Sequence, residues 1–460
     1  MIKAAFMLPH PPIIVPDIGK GEEKKIQKTV EAYQTAARKI ADLKPETIIL
    51  TSPHQILYSD YFHISPGKGA SGDFAQFRAP HVQMEVRYDT EFVEQICKLA
   101  DAADFPAGTE GERDRRLDHG TMVPLYFVNQ YLKDYRLVRI GLSGQSLKMH
   151  YQLGQYIQEA DRLLNRTTVL IASGDLSHRL KEDGPYGYQK EGPEYDSRIM
   201  DVMGKADFGE LFGFPENFCE KAGECGHRSF MIMAGALDRQ KIEAQALSYE
   251  GTFGVGYGIC SYTVCGSDAT RNFMEQFEEK ERVKTARQRE QEDTYVQLAR
   301  KTIESYVRTG EIIAVPDKLP EEMYRQKAGV FVSVKENGSL RGCIGTIHAV
   351  QACVAEEIIG NAISAASRDP RFLPIRQDEL DQLIITVDVL GDTEAIDSPD
   401  KLDVGRYGVI VTKGHKRGLL LPNLDGVNTV DEQISIAKRK AGIGENEDIT
   451  LERFEVVRHY

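Results

Sequence analysis

The chain has 460 residues, 41% of them hydrophobic and 28% charged, with a formal net charge of −13. That length exceeds one ordinary domain and the apolar content can fill sizeable cores, so two or three domains are expected. The negative balance opposes non-specific nucleic-acid binding, which relies on Lys and Arg to neutralise phosphates, although a local basic groove stays open.

β-type runs at Ile2–Leu8, Thr47–Thr51, Arg136–Leu142, Thr167–Ser173 and Tyr257–Val264 alternate with helical patterns at Lys24–Leu43, Thr90–Ala103 and Met149–Leu164. Such alternation predicts an N-terminal layered α/β/α domain with a largely parallel sheet over residues 1–265. Gly254-Val255-Gly256-Tyr257-Gly258 precedes a strand instead of following one, so it reads as a turn and not as a dinucleotide fingerprint. Residues 266–289 are strongly charged and predict an exposed helical linker.

Residues 290–460 predict a second, α+β domain. A helix over Thr294–Arg308 precedes strands at Gly329–Glu336 and Ser339–Ile347, joined at Asn337-Gly338, a strong hairpin signal. A helix at about 350–367 and strands at 382–390, 407–413 and 417–421 follow. No apolar run reaches the roughly 18 residues of a membrane span. The opening MIKAAFMLPHPP has too short an apolar segment for a secretory signal, and a cytoplasmic protein is expected. Seven cysteines without a CxxC pair predict free thiols.

Three of the β-type runs end a few residues before a histidine: His10, His54 and His178. In an open α/β sheet the carboxyl ends of strands converge on one crevice, where neutral imidazoles serve as metal ligands or as acids and bases. His119 in Asp118-His119-Gly120 and the stretch Glu224-Cys225-Gly226-His227 extend the candidate set. Nearby Asp118 and Asp175 are candidates to orient an imidazole. His63, His81 and His150 lack such settings and read as surface or core residues. In the second domain, Leu340-Arg341-Gly342-Cys343-Ile344-Gly345 carries one thiol. Arg341 could supply charge and His348 a base, while a strand with a buried small cysteine is the simpler reading.

The series Leu8-Pro9-His10-Pro11-Pro12, Ser52-Pro53-His54, Leu117-Asp118-His119-Gly120 with Val123-Pro124-Leu125, and Ser173-Gly174-Asp175-Leu176-Ser177-His178 resembles the LigB-type class III extradiol ring-cleavage dioxygenases and the related Memo family. The resemblance implies a metal held by His10 and His54, with Fe(II) first and Zn or Cu as alternatives, and a small catechol-like substrate. It implies acid–base work for His178 and an active-site place for His119. Its third ligand, a glutamate in the dioxygenases, aligns with Cys225 in Ala222-Gly223-Glu224-Cys225-Gly226-His227, as in Memo, with Glu224 as the fallback.

Residues 290–460 resemble the AMMECR family, on Arg341, Gly342, Cys343 and Gly345, Ser367-Arg368-Asp369-Pro370-Arg371-Phe372, and Gly418-Leu419-Leu420-Leu421-Pro422. Together the two halves resemble two parts of the AmmeMemoRadiSam system, whose third part is a radical-SAM protein. No CxxxCxxC motif occurs here, so such a partner would be a separate chain. Two functions follow from the resemblance: a metal-dependent oxidoreductase, or an accessory metal-binding partner of that enzyme in modifying a macromolecule such as RNA.

Overall fold

The computed structural model describes residues 1–336, 339–424 and 426–460, and divides into two compact units, Met1–Phe277 and Glu278–Tyr460. The Asn337-Gly338 hairpin signal lies outside the described residues.

The first unit is built on a six-stranded sheet. Its strands are β1 (Ile2–Leu8), β2 (Thr47–Ser52), β5 (Arg136–Gly141), β6 (Thr168–Ser173), β7 (Gln240–Glu250) and β8 (Tyr257–Ser267); β3 (Gly69–Phe74) and β4 (Ala79–Arg87) form a separate antiparallel hairpin. The sheet order is β5-β2-β6-β1-β8-β7, with the first four strands parallel and the last two antiparallel.

Alternation along the parallel strands sends side chains into two separate cores, which is why these strands read as unbroken apolar runs. Ala5, Met7, Ile49 and Leu170 face one core, while Phe6, Leu8, Ile48 and Leu50 face the other. Helices α1 (Gln27–Leu43) and α3 (His119–Val128) cover the second face. Helices α2 (Thr90–Ala102), α4 (Leu147–Leu164), α5 (Glu191–Lys205) and α7 (His227–Ala236) cover the first; α6 (Glu216–Ala222) precedes α7. The architecture is the expected layered α/β/α.

Helix α8 (Phe273–Glu290) begins within the first unit, where Met274 joins the core and Phe277 stacks on Phe212 at 4.5 Å; most of its later residues are exposed.

The second unit is α+β, as expected. Strands β9 (Val330–Glu336), β10 (Ser339–Gly345), β11 (Leu383–Leu390), β12 (Glu394–Ile396), β13 (Tyr407–Lys413), β14 (Lys416–Leu420) and β15 (Thr450–His459) form one antiparallel sheet, ordered β10-β9-β11-β15-β13-β14 with β12 on β15. Helices α9 (Thr294–Thr309) and α10 (Val354–Ser367) pack on β9 and β11, and α11 (Val430–Lys440) packs on β13 and β14.

Candidate metal centre and its surroundings

The carboxyl ends of β1, β2 and β6 and the amino ends of α3 and α7 meet at one cleft. His10 is buried, His119 half-buried and His54 open to solvent, and one ring nitrogen of each lies within 4.8 Å of the others. The Nε2 atoms of His10 and His54 are 2.9 Å apart, and the rings of His54 and His119 lie centroid to centroid at 4.0 Å.

The tautomer of His10 follows from its partners. The Ser173 hydroxyl donates to the Gly120 carbonyl at 2.6 Å, and a carbonyl only accepts. The Ser173 oxygen therefore accepts from Nδ1–H of His10, at 2.9 Å. That leaves an unprotonated Nε2 on His10 facing His54. Desolvation lowers the pKa of all three imidazoles, most firmly for the buried His10, where His54 adds to the effect. His119 is drawn down to about 3 by desolvation and by His54 and His10. All three are neutral at pH 7, the form that binds metals.

Asp118 ties this arrangement together. It caps α3 by accepting from Thr121 N–H at 2.9 Å, and it accepts from the Ser52 hydroxyl at 2.5 Å and from Arg139 at 2.8 Å. Ser52 in turn accepts from the backbone N–H of His54 at 3.2 Å. Burial pushes the Asp118 carboxyl up, but Arg139, Ser52 and Thr121 more than offset this and hold it below the usual carboxylate range.

Cys225 also lies against His10, its Sγ 3.6 Å from Nε2. The Asp175 backbone N–H donates to the sulfur at 3.3 Å. This approach requires two glycines: a Cβ on Gly174 would come 2.1 Å from Cα of Gly226. Burial, then Asp175 and Glu224, push the Cys225 thiol well above its ordinary value. Glu224 faces α7 instead, accepting from the His227 N–H at 2.6 Å, and burial raises it to about 7.

His178 donates Nδ1–H to the Gly223 carbonyl at 2.5 Å, which leaves Nε2 free, and its ring meets Tyr186 edge-on at 5.1 Å. The same six-residue stretch, 222–227, thus carries the thiol and orients this imidazole. Asp175 does not orient His178 as the sequence suggested. It accepts from the His10 backbone N–H at 2.7 Å, because its loop turns toward β1. His227, His150 and His63 are each held by a backbone carbonyl and are structural: His227 by Leu211 at 3.0 Å, His150 by Ser146 at 2.9 Å and His63 by Glu110 at 2.9 Å. His81 pairs with Asp17 at the surface.

In the second unit Arg341 does not address Cys343. Its guanidinium is held instead by Glu379 at 2.8 Å and by the Leu373 carbonyl at 2.7 Å, partners that lie more than thirty residues further along the chain. His348 lies against Arg417 at 3.2 Å, not against the thiol. The groups at Cys343 are Ser333, whose hydroxyl is 3.2 Å from Sγ, Asp369, which accepts its backbone N–H at 2.9 Å, and Arg371, which donates to its carbonyl at 3.2 Å. Arg371 also pairs with Asp369, whose carboxyl is held down at about 2 by that guanidinium. Gly342 lets α10 approach β10, since a Cβ there would sit 2.2 Å from the Ala365 carbonyl oxygen, and Gly345 lies under the Phe331 ring.

Residues 4–260 match the family described as the catalytic LigB subunit of aromatic ring-opening dioxygenase, and residues 296–459 match AMMECR1. A protein of Clostridium acetobutylicum, Protein CA_C1420, is 43% identical over 462 residues, covering 99% of this chain and 98% of that one. A Thermotoga maritima protein is 49% identical over 170 residues, 36% of this chain and 98% of its own length. Among solved structures, an uncharacterized protein of Pyrococcus horikoshii is 36% identical and covers 36% of this chain and 88% of that one, with a TM-score of 0.34. Another, from Escherichia coli K12, is 13% identical and covers 56% of this chain and 99% of that one, at a TM-score of 0.36. The chain belongs to the LigB family and joins that domain to an AMMECR1 domain. Among the described residues, no helix is long and apolar enough to cross a membrane.

Proposed function

We propose that the first unit is a metal-dependent oxidoreductase of the extradiol type, acting on a small aromatic, catechol-like substrate, with Fe(II) as the first choice of metal and Zn or Cu as alternatives. The observation that carries the reading is the pair of Nε2 atoms 2.9 Å apart, with the His10 nitrogen left unprotonated by Ser173. Separations of 2.9 Å to His54 and 3.6 Å to the Cys225 sulfur are each shorter than two metal–ligand bonds of about 2.0–2.3 Å, so the spacing lets His10 share an ion with either, and the three imidazoles of His10, His54 and His119 offer nitrogens within 4.8 Å of one another. His10, His54 and Cys225 would hold it, with Glu224 as the fallback ligand and His119 within reach.

A metal in this cleft supplies a Lewis acid and a template for substrate oxygens. The protein supplies the rest. His178 takes a proton from a substrate hydroxyl at its free Nε2, because Nδ1 is committed to Gly223. Tyr186 beside His178 and Phe77, edge-on to His119 at 5.3 Å, offer apolar walls to a flat ring. The test is anaerobic loading with Fe(II) followed by assay of a catechol library under oxygen. Ring-opened product from the wild type and none from His178→Ala at equal metal content is the expected result.

A second reading rests on one observation, the thiol of Cys225 where the dioxygenases place a glutamate. In it the chain is an accessory metal-binding partner of a separate radical-SAM protein that modifies a macromolecule such as RNA. Retained metal with no turnover on any catechol, together with co-purification of that protein, would favour it.

A further inference from the structure

We propose that Pro124 is a positioning residue for His10, acting through Gly120 and Ser173 to keep the Nε2 lone pair of His10 free; the role in metal binding rests on the reading of His10 as a ligand. Pro124 sits inside helix α3, as the sixth residue counted from His119. An interior helical residue normally donates its N–H to the carbonyl four residues earlier, here Gly120. Proline has no N–H, and its ring crowds that same carbonyl, so the oxygen is denied its helical donor and pressed off the helix line. A buried carbonyl without a donor is costly, and Gly120 and Pro124 are both buried.

Ser173, fully buried at the end of β6, supplies the missing donor at 2.6 Å. A hydroxyl has one proton, and this one is spent on the carbonyl. Only acceptance is left toward His10 Nδ1 at 2.9 Å, so the imidazole proton stays on Nδ1. Nε2 is then the bare nitrogen, and it is the atom that faces both His54 and Cys225. With alanine at 124, a backbone N–H returns to Gly120 and the carbonyl can realign with the helix. Ser173 is then released to turn its proton toward Nδ1, which favours the tautomer with Nε2 protonated and masks the lone pair.

The experiment compares wild type, Pro124→Ala, Ser173→Ala and the double variant as full-length chains. Nitrogen NMR of histidine-labelled, metal-free protein, with His10→Ala for assignment, reads the tautomer directly. The Nδ1–H form is expected in the wild type, and a gain in the Nε2–H form in both single variants. Anaerobic Fe(II) competition should show weaker binding in Ser173→Ala by about 10- to 100-fold, the usual effect of removing a group that orients a ligand. Pro124→Ala should weaken binding in the same direction, and the double variant no more than Ser173→Ala. Metal-free Pro124→Ala should melt at or above the wild-type temperature, because proline is unfavourable within a helix. A merely structural proline would instead lower melting temperature and affinity together, and that outcome overturns the proposal. So does an unchanged His10 tautomer in both single variants, which also decides the matter should Ser173→Ala alone fail to fold. If the wild type binds no metal, the ligand reading fails, while the tautomer measurement still judges the relay.

Discussion

The sulfur of Cys225 stands 3.6 Å from Nε2 of His10, so thiol and imidazole are in direct contact in the cleft. Glu224, one residue earlier, is turned the other way and holds the backbone of His227 at the start of α7. Cys225→Ser is therefore expected to lower metal occupancy strongly, whereas Glu224→Gln, whose amide oxygen still accepts from His227, should leave it near the wild-type level. Metal analysis after anaerobic loading checks the ranking. The reverse order would return the third ligand to the carboxylate.

His178 and His119 separate by their surroundings. His178 is oriented by the Gly223 carbonyl, outside the group of three imidazoles, and His119 is inside it. His178→Ala should keep the metal and lose turnover by about 10²- to 10⁴-fold, the range of a lost acid–base group. His119→Ala resolves a choice: lost metal makes it a ligand, and retained metal with slowed turnover makes it a partner of His178. Metal content and rate are measured on the same preparations.

Much of this site was legible because its residues follow apolar strands in an α/β alternation, and that geometry sends strand ends to a common edge. That pattern singles out His10 and His54, which the structure brings together, and His178, which lies outside the group of three imidazoles. The partners that orient them were not legible, because they are distant in sequence and chemically ordinary: Ser173 is 163 residues from His10, and the ion-pair partner of Asp118 is an arginine 21 residues away. The edge strand β7 escaped notice because its residues alternate between exposed and half-buried and include Lys, Glu and Gln. Helix α3 was hidden by its proline and by being apolar all round, which erases the helical period. Arg341 and His348 look available beside Cys343 in sequence, but their partners Glu379 and Arg417 come from other elements.

The Asp118–Arg139 pair is buried, with the arginine side chain only 2% exposed. Removing one partner leaves an uncompensated charge, so Arg139→Met is expected to lose about 3–5 kcal/mol of stability. The double variant Arg139→Met, Asp118→Asn should recover part of that loss. It should still bind metal weakly, since the Ser52 hydroxyl loses the carboxylate that orients the His54 loop. Chemical denaturation of the metal-free proteins gives the first number and metal competition the second.

Asp196 on α5 stands behind the His178 loop, buried, accepting from the Ser177 backbone N–H at 2.8 Å and from the Tyr249 hydroxyl at 2.8 Å. Burial raises its carboxyl from 3.8 to about 7, with Asp175 adding to the rise and the two hydrogen bonds opposing it. A raised carboxyl binds its proton more tightly in the folded state than in the unfolded chain. Its contribution to stability is therefore fully present below pH 3.8 and is lost as pH rises toward 7. At about 1.4 kcal/mol per pH unit, the loss is on the order of 4 kcal/mol. Asp196→Asn keeps an oxygen for Ser177 and cannot ionise. Relative to wild type, this variant should gain stability steadily between about pH 4 and pH 7 and show a constant difference above that range. Urea denaturation of the metal-free pair across this range checks it, and parallel stability curves for the two proteins would show that Asp196 does not titrate there.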